Sequence, residues 1–231
     1  INDVGGCREP EQIWEKVEPP SVFSGFFDKV KIAFSNPETK ANARKQTGSF
    51  YTPREIVNYM VDESLIAAFQ QKLRDAGIAE NVEPRLRNLI SYNETDNPFS
   101  DDENNVIIQA IENLKVLDPA CGSGAFPMGI LHKLVWILQK VDRENKKWFE
   151  SIIKRLPDYA QSEMRKKLEV ENWDYLRKLG IIQQSIYGVD IQPIAIQIAK
   201  LRFFISLLVD QDINGKADDN FGLMPLPNLD F

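Results

Sequence analysis

The residues best placed to do chemistry are an acid, a proline and two glycines in one short segment. This segment spans residues 116–126 and reads Val-Leu-Asp-Pro-Ala-Cys-Gly-Ser-Gly-Ala-Phe. Gly122 and Gly124 lack a Cβ, so the backbone can turn sharply there and a ligand can touch the main chain. Asp118 ends an apolar run, and a carboxylate at a strand end suits a cationic amino group and repels a pyrophosphate. The segment therefore predicts a ligand-binding turn between a strand and a helix.

A second segment, residues 47–57, has the pattern of a helix start and reads Thr-Gly-Ser-Phe-Tyr-Thr-Pro-Arg-Glu-Ile-Val. Thr52 is predicted as the N-cap, Pro53 as the first helical residue and Glu55 as the N3 acid of a capping box. The helix is predicted to run to about Ala76 and to bury an apolar stripe formed by Ile56, Met60 and Val61. Taken alone, the segment indicates only a well-formed helix start.

A third segment, residues 186–193, reads Ile-Tyr-Gly-Val-Asp-Ile-Gln-Pro and predicts a short strand followed by a helix. Asp190 at the strand end is a natural partner for ribose hydroxyls, and a helix cap without a ligand is the alternative. In nucleoside-binding α/β folds such an acid usually follows the glycine turn by about 20 residues. Asp190 lies much further from Gly122, which predicts an insertion between the two strands.

The glycine segment resembles, almost residue for residue, the cofactor loop of the amino-methylating DNA methyltransferases. This resemblance implies S-adenosylmethionine as the cofactor. It also implies an α/β, Rossmann-like class I methyltransferase fold with a parallel sheet. In that family the glycine turn wraps the methionine part of the cofactor, and Cys121 would be a small packing residue. The residues that would contact the cofactor here are Asp118, Pro119, Ala120, Gly122 and Gly124, with Phe126 as a wall of the pocket.

The other two segments agree with the same family in order and kind. In methyltransferases of this arrangement a Tyr-Thr-Pro segment reaches the methionine end of the cofactor. The resemblance therefore implies that role for Phe50, Tyr51 and Thr52. It further implies that the ribose and adenine are held at the third segment, by Asp190 on the ribose, Ile191 on the adenine and Gln192 nearby.

The order of the three segments resembles the gamma arrangement of DNA methyltransferases that modify adenine N6. Within that class the chain looks most like bifunctional type II restriction enzyme and methylase proteins and related phage-defence methylases. The modification subunit of a multi-subunit restriction system is the alternative. The resemblance implies DNA as the substrate and a fused nuclease or specificity domain. A methyltransferase of small molecules or proteins, and a cofactor-binding structural module, stay open as readings from other classes.

The catalytic motif of that family, Asn or Asp followed by Pro-Pro and an aromatic residue, does not occur in the sequence. We therefore name no catalytic residue and expect the motif beyond Phe231. The chain also begins at Ile1 without a methionine, which suggests an excerpt of a longer protein. The expected organisation is a helical lead-in at 1–46 and the first part of a methyltransferase domain at 47–231, inactive by itself.

Two further stretches can be assigned coarsely. The polar, acidic stretch from Ser91 to Asn105 predicts a loop, followed by a short helix and the first strand. Between the two strands, residues 145–180 mix large apolar side chains with many charges, which predicts an inserted helical hairpin broken near Pro157.

Composition narrows the class of protein. The chain has 231 residues, 43% of them hydrophobic, which is enough to bury a full core. Cys7, Cys121 and the single histidine, His132, are too few for a disulfide framework or a histidine metal centre, so no metal site is predicted. The longest apolar run, residues 191–209, carries Lys and Arg and falls short of a membrane span. We expect a cytoplasmic protein.

The formal net charge is −6. Duplex affinity comes largely from phosphate contacts by Lys and Arg, so this charge argues against the chain being the main DNA-gripping surface. DNA contact is expected mostly in parts of the parent protein outside this chain.

Overall fold

Helices dominate the part of the chain that the computed structural model describes, which comprises residues 52–154, 161 and 173–210. The predicted lead-in at 1–46, the cofactor candidates Phe50 and Tyr51, the break near Pro157 and the stretch 211–231 lie outside the described residues. In chain order the elements are α1 (Arg54–Asp75), α2 (Val82–Ile90), α3 (Asp101–Asn113), β1 (Val116–Asp118), α4 (Ala125–Val141), α5 (Lys146–Ile153), α6 (Trp173–Ser185), β2 (Ile186–Gly188) and α7 (Pro193–Leu208).

The two strands pair in parallel, so that their carboxyl ends lie side by side. The register places Val116 opposite Ile186 and Asp118 opposite Gly188. Parallel neighbours need a long crossover connection, and here it contains α4, α5 and α6. A mostly helical chain with a small parallel sheet is consistent with the predicted α/β class.

Helix α4, which begins at the glycine turn, is the centre of the core. It contacts α1, α2, α3, α6, α7 and both strands. A helix surrounded in this way must be apolar on most of its faces. Its side chains that are less than 1% exposed are Leu131, Leu134, Ile137 and Leu138.

Two buried lysines of α4 hydrogen-bond to the carboxyl end of α2. Lys140 donates from Nζ to the Leu89 carbonyl oxygen at 2.7 Å, and Lys133 donates to that of Ile90 at 3.1 Å. Lys133 also pairs with Asp62 of α1 at 2.9 Å. The last carbonyls of a helix have no partner within the helix, so these ammonium groups satisfy the end of α2. Burial lowers the pKa of Lys140.

The predicted start of α1 is wrong in detail. The helix begins at Arg54, its N-cap is Pro53, and no side chain of the described residues caps it, so the capping box of Thr52 and Glu55 does not form. Pro53 has an extended backbone (φ −55°, ψ 145°), and its carbonyl accepts the first helical bonds, from the amides of Ile56 and Val57. The end of the helix at Asp75 confirms the prediction of about Ala76.

The buried stripe of α1 is also displaced from its predicted position. Ile56 and Met60 are 48% and 49% exposed, whereas Val57 and Val61 are buried, so only Val61 was assigned correctly. The reason lies in α4, where Gly129 has no side chain. A Cβ on Gly129 would come within 3.1 Å of methyl groups of both Val57 and Val61. The missing side chain lets α1 approach α4 closely with this face inward.

The predicted loop between Ser91 and Asn105 is interrupted by the start of α3 at Asp101. Ser100 and Glu103 form a complete capping box: the Ser100 side chain accepts from the Glu103 amide, and the Glu103 carboxylate accepts from the Ser100 amide at 2.8 Å. This Ser-x-x-Glu signal was present in the sequence, and the surrounding acidic residues obscured it. Arg85 of α2 also pairs with Glu103.

Acid is expected to weaken the chain through Glu103. The hydrogen bond from Arg85, with those of the capping box, lowers the pKa of Glu103 to about 2. Because this pKa lies below the ordinary value of about 4.3, the carboxylate stabilises the fold above that value and loses its contribution as the pH falls toward 2. A Glu103→Gln variant should lose about 1–3 kcal/mol near neutral pH.

Urea unfolding at a series of pH values measures this effect. The variant should show a shallower fall in the free energy of unfolding with acid than the unchanged chain. Asp102→Asn, at an exposed position in the same helical turn, is the control. A Glu103→Gln variant that keeps the full acid dependence would contradict the prediction.

Helices α5 and α6 fall in the range predicted as an inserted hairpin. α6 continues beyond residue 180 to Ser185 and leads directly into β2. It packs on α4 and on α5, where the fully buried Trp148 lies against Gly180. The assignment of 145–180 as an insertion stays a prediction.

None of the described helices combines the length and the apolar character that a bilayer span requires.

Candidate functional site

The glycine turn and the acid after β2 lie together, because the strands before them are paired. Hydrogen bonds continue the pairing beyond the strands, from the Val189 amide to the Asp118 carbonyl at 2.9 Å and from the Cys121 amide to the Val189 carbonyl at 3.0 Å. The carboxyl edge of a parallel sheet is where open α/β folds bind ligands. The structure thus brings Asp118, Gly122 and Asp190 to one edge.

The two glycines of the turn adopt backbone conformations that disfavour other residues. Gly122 has φ +53° and Gly124 has φ +81°, both in the left-handed region. Gly124 is the N-cap of α4, and its carbonyl accepts from the Met128 amide at 3.0 Å. A Cβ on Gly124 would lie 3.1 Å from the Cβ of Ala199 in α7. Gly124 is therefore needed both for the turn and for the close approach of α7.

The two carboxylate oxygens of Asp118 differ in their partners. Its Oδ1 accepts from the Ala120 amide at 3.1 Å. Its Oδ2 is buried, and no donor among the described residues bonds to it. A buried carboxylate oxygen without a donor is costly. A cationic group of a ligand arriving at the turn would supply the missing partner.

Asp190 uses both carboxylate oxygens on backbone amides. Oδ2 accepts from Gly122 in the glycine turn at 2.9 Å, and Oδ1 accepts from Gln192 at the start of α7 at 2.8 Å. A carboxylate offers about four lone-pair positions, so two remain for hydroxyl groups of a ligand. The arrangement is compatible with ribose binding and gives Asp190 a second task, which the sequence did not reveal.

The amides at the glycine turn and at the start of α4 also bear on ligand binding. Within the described part of the chain, those of Ser123, Ala125 and Phe126 donate to no acceptor. The first amides of a helix have no partner inside the helix, so these groups are free for a ligand. Phe126 is half-buried and packs against the core with its side chain. Pro119 and Ala120 are exposed beside the turn.

Cys121 is buried in the turn, with 4% of its surface exposed. Burial raises the pKa of its thiol to about 11, and the nearby carboxylates of Asp118 and Asp190 add to the effect. The thiol therefore stays protonated near neutral pH, as suits a packing residue and not a nucleophile.

The other predicted cofactor-binding residues make fewer contacts with the glycine turn. Ile191 is 87% exposed and Gln192 is half-buried, so Ile191 is available to a flat group lying on this edge. Thr52 is half-buried just before α1, whose Val57 packs against Gly129 of α4. Its partners Phe50 and Tyr51 lie outside the described residues, so the role of the Tyr-Thr-Pro segment stays a prediction.

Arg202 of α7 is a neighbour that the sequence did not predict. Its guanidinium donates to the Ser123 carbonyl at 2.8 Å and so holds the turn from the side of α7. The two residues are far apart in sequence, and Arg202 stands in an apolar helix without a motif around it. No local signal could have identified this contact.

Two open cavities occur in the described part of the molecule, and Arg202 lines the first of them. One of about 370 Å³ is lined by residues of α4, α6 and α7, and one of about 610 Å³ by residues of α3 and α5. Neither is lined by Asp118, Asp190 or the glycines of the turn. The hydrogen-bonding groups at the turn are the features that favour a ligand site there.

Comparison with known proteins identifies one informative relative. The chain is 28% identical over 196 residues to a protein of Methanocaldococcus jannaschii provisionally named a type II restriction enzyme and methyltransferase. The aligned part is 81% of this chain and 14% of that protein, so the chain spans a small fraction of the length of its relative. The chain matches no family model and no solved structure.

Proposed function

We propose that this chain is the S-adenosylmethionine-binding part of a DNA methyltransferase from a restriction-modification or phage-defence system, acting on adenine N6. The observation that carries the proposal is the buried Oδ2 of Asp118 beside the glycine turn, which has no donor among the described residues. The similarity to a protein named a restriction enzyme and methyltransferase supports the same class of reaction. The choice of adenine N6 derives from the resemblance of the motif order to the gamma class.

The cofactor would supply an activated methyl group on a sulfonium centre. Asp118 would accept a hydrogen bond from the ammonium group of its methionine part, which gives the buried Oδ2 a charged donor. The free amides at the start of α4 would face the carboxylate of the same part, since helix N-termini favour anions. Asp190 would hold the ribose hydroxyls, and Ile191 would cover the adenine.

The DNA would be contacted mostly by parts of the parent protein outside this chain, because the chain is acidic overall. A fused nuclease or specificity domain belongs to the same proposal, as does a methyltransferase domain at 47–231 preceded by a lead-in at 1–46. The isolated chain is expected to bind the cofactor without methylating DNA. The modification subunit of a multi-subunit restriction system would share all of these residues.

Calorimetric titration with S-adenosylmethionine and S-adenosylhomocysteine tests the cofactor site. Both ligands carry the amino-acid group, so Asp118→Asn should weaken both by about ten-fold or more, since a hydrogen bond to a charged group contributes about 1.5–3 kcal/mol. Asp75→Asn, at the exposed end of α1, is the control and should bind like the unchanged chain.

Absence of binding by the folded chain, or equal affinity in Asp118→Asn, would count against the proposed pocket. The parent protein should also be assayed for methylation of DNA, and the modified base should be identified. This assay distinguishes a DNA adenine methyltransferase from a methyltransferase of small molecules or proteins. A parent that binds the cofactor and methylates nothing would favour the structural-module reading.

A further inference from the structure

We propose that Asp190 is a positioning residue that holds the glycine turn in its binding conformation before any ligand arrives. The carboxylate joins the Gly122 amide and the Gln192 amide, at 2.9 Å and 2.8 Å. We call this arrangement the Asp190 clasp. It extends the proposed function, since the same carboxylate would meet the ribose, and its action on the turn does not depend on which ligand binds.

The turn has a particular need for such a clasp. Glycine loses more conformational freedom on ordering than any other residue, and the turn contains two glycines. A turn that is disordered without ligand would have to be ordered at the expense of binding free energy. The Gly122 amide belongs to one of these two glycines, and a carboxylate oxygen of Asp190 accepts its hydrogen bond at 2.9 Å.

The clasp also connects two structural elements. Gly122 precedes α4 and Gln192 is the N-cap of α7, so one carboxylate ties together the starts of both helices. Two other contacts join the same parts: Ala199 of α7 lies close beneath Gly124, and Arg202 donates to the Ser123 carbonyl. Removal of the clasp should therefore free the Gly122 amide without separating α7 from α4.

Hydrogen exchange of individual amides, measured by NMR on the 231-residue chain without any cofactor, tests the clasp. In Asp190→Ala the amides of Gly122 and Gln192 should exchange about 10- to 100-fold faster than in the unchanged chain. The Leu134 amide in the core of α4 should keep its protection. Asp102→Ala, an exposed acid of α3, is the control and should change neither turn amide.

A conservative variant keeps the test decisive if Asp190→Ala fails to fold. The Asn side chain in Asp190→Asn has one acceptor oxygen and an amide group that repels a second donor. It should preserve protection at one of the two amides and lose it at the other. This partial rescue distinguishes an acceptor from a residue that merely fills space.

The clasp would be refuted if Gly122 and Gln192 exchanged at the unchanged rate in both variants while Leu134 stayed protected. The exchange measurement is made without cofactor. A failure to bind S-adenosylmethionine would therefore overturn the proposed function but would not change the exchange result for the Asp190 clasp. Conversely, cofactor binding with unaltered exchange would retain the proposed function and remove the clasp.

Discussion

Gly124→Ala is expected to destabilise the chain by about 2–5 kcal/mol and to remove cofactor binding. Holding an alanine in the left-handed region at φ +81° costs about 1–2 kcal/mol. The new Cβ would also lie 3.1 Å from Ala199 Cβ and 3.5 Å from Ala199 Cα, so α7 would have to move, at about 1–3 kcal/mol. Arg202 and Asp190 both hydrogen-bond to the glycine turn just before α4. A displacement of α7 would therefore also disturb the turn.

Gly77→Ala provides the matched control for this prediction. Gly77 has φ +82°, nearly the same conformation, and no atom of the described residues lies within 4 Å of the Cβ that the substitution would add. It should cost only the conformational part, about 1–2 kcal/mol, and leave cofactor binding unchanged. Chemical unfolding followed by circular dichroism measures both variants. Equal losses of stability would show that the contact with α7 is unimportant.

Trp148→Ala is expected to cost about 3–5 kcal/mol, the range for a large aromatic side chain removed from a core. Trp148 is fully buried, and its ring lies where a Cβ on Gly180 would come within 3.2 Å of it. The side chain thus fills the contact between α5 and α6, and the chain offers no side chain at Gly180 to fill the space instead. Circular dichroism during urea unfolding gives the free energy.

Trp173→Ala is the control for the loss of a tryptophan. Trp173 is 40% exposed and touches Phe149 edge to face at a centroid distance of 6.2 Å. Its removal should cost about 0.5–1.5 kcal/mol. Trp148→Phe should lose less than Trp148→Ala, because the phenyl ring keeps most of the buried volume, whereas both variants remove an indole N–H that is buried without an acceptor among the described residues. Similar losses in Trp148→Ala and Trp173→Ala would contradict this account of the core.

The sequence predicted the ends of strands and helices best, because specific residue types, such as glycine, are needed where the backbone turns. The strand ends at Asp118 and Gly188, and the end of α1 at Asp75, lie within two residues of their predicted positions. Faces were predicted less well: Ile56 and Met60 were expected inside and are exposed. A helix that carries apolar residues on more than one face can bury any of them. In α1 the face with Val57 and Val61 is buried, because Gly129 of α4 leaves room for it.

The capping box of Ser100 and Glu103 is a different kind of miss, because its signal was local. The Ser-x-x-Glu spacing was readable, whereas the pairing of Glu103 with Arg85 was not, since Arg85 belongs to the preceding helix. Acidic residues around Ser100 are typical of a loop, but the capping box satisfies backbone amides at the helix start and so favours a helix there. The second contact required knowledge of how α2 and α3 pack.

The candidate site divides in the same way. The sequence by itself determined that the chain turns at Gly122 and Gly124 and places acids after two strands, because glycine and a strand-end carboxylate impose local conditions on the backbone. Only the tertiary structure decided that Asp190 accepts the Gly122 amide, that Arg202 holds Ser123, and that Asp118 keeps one buried oxygen unpartnered among the described residues. These contacts join residues distant along the chain, and they exist because the parallel register places Asp118 beside Gly188 and so brings the two turns together.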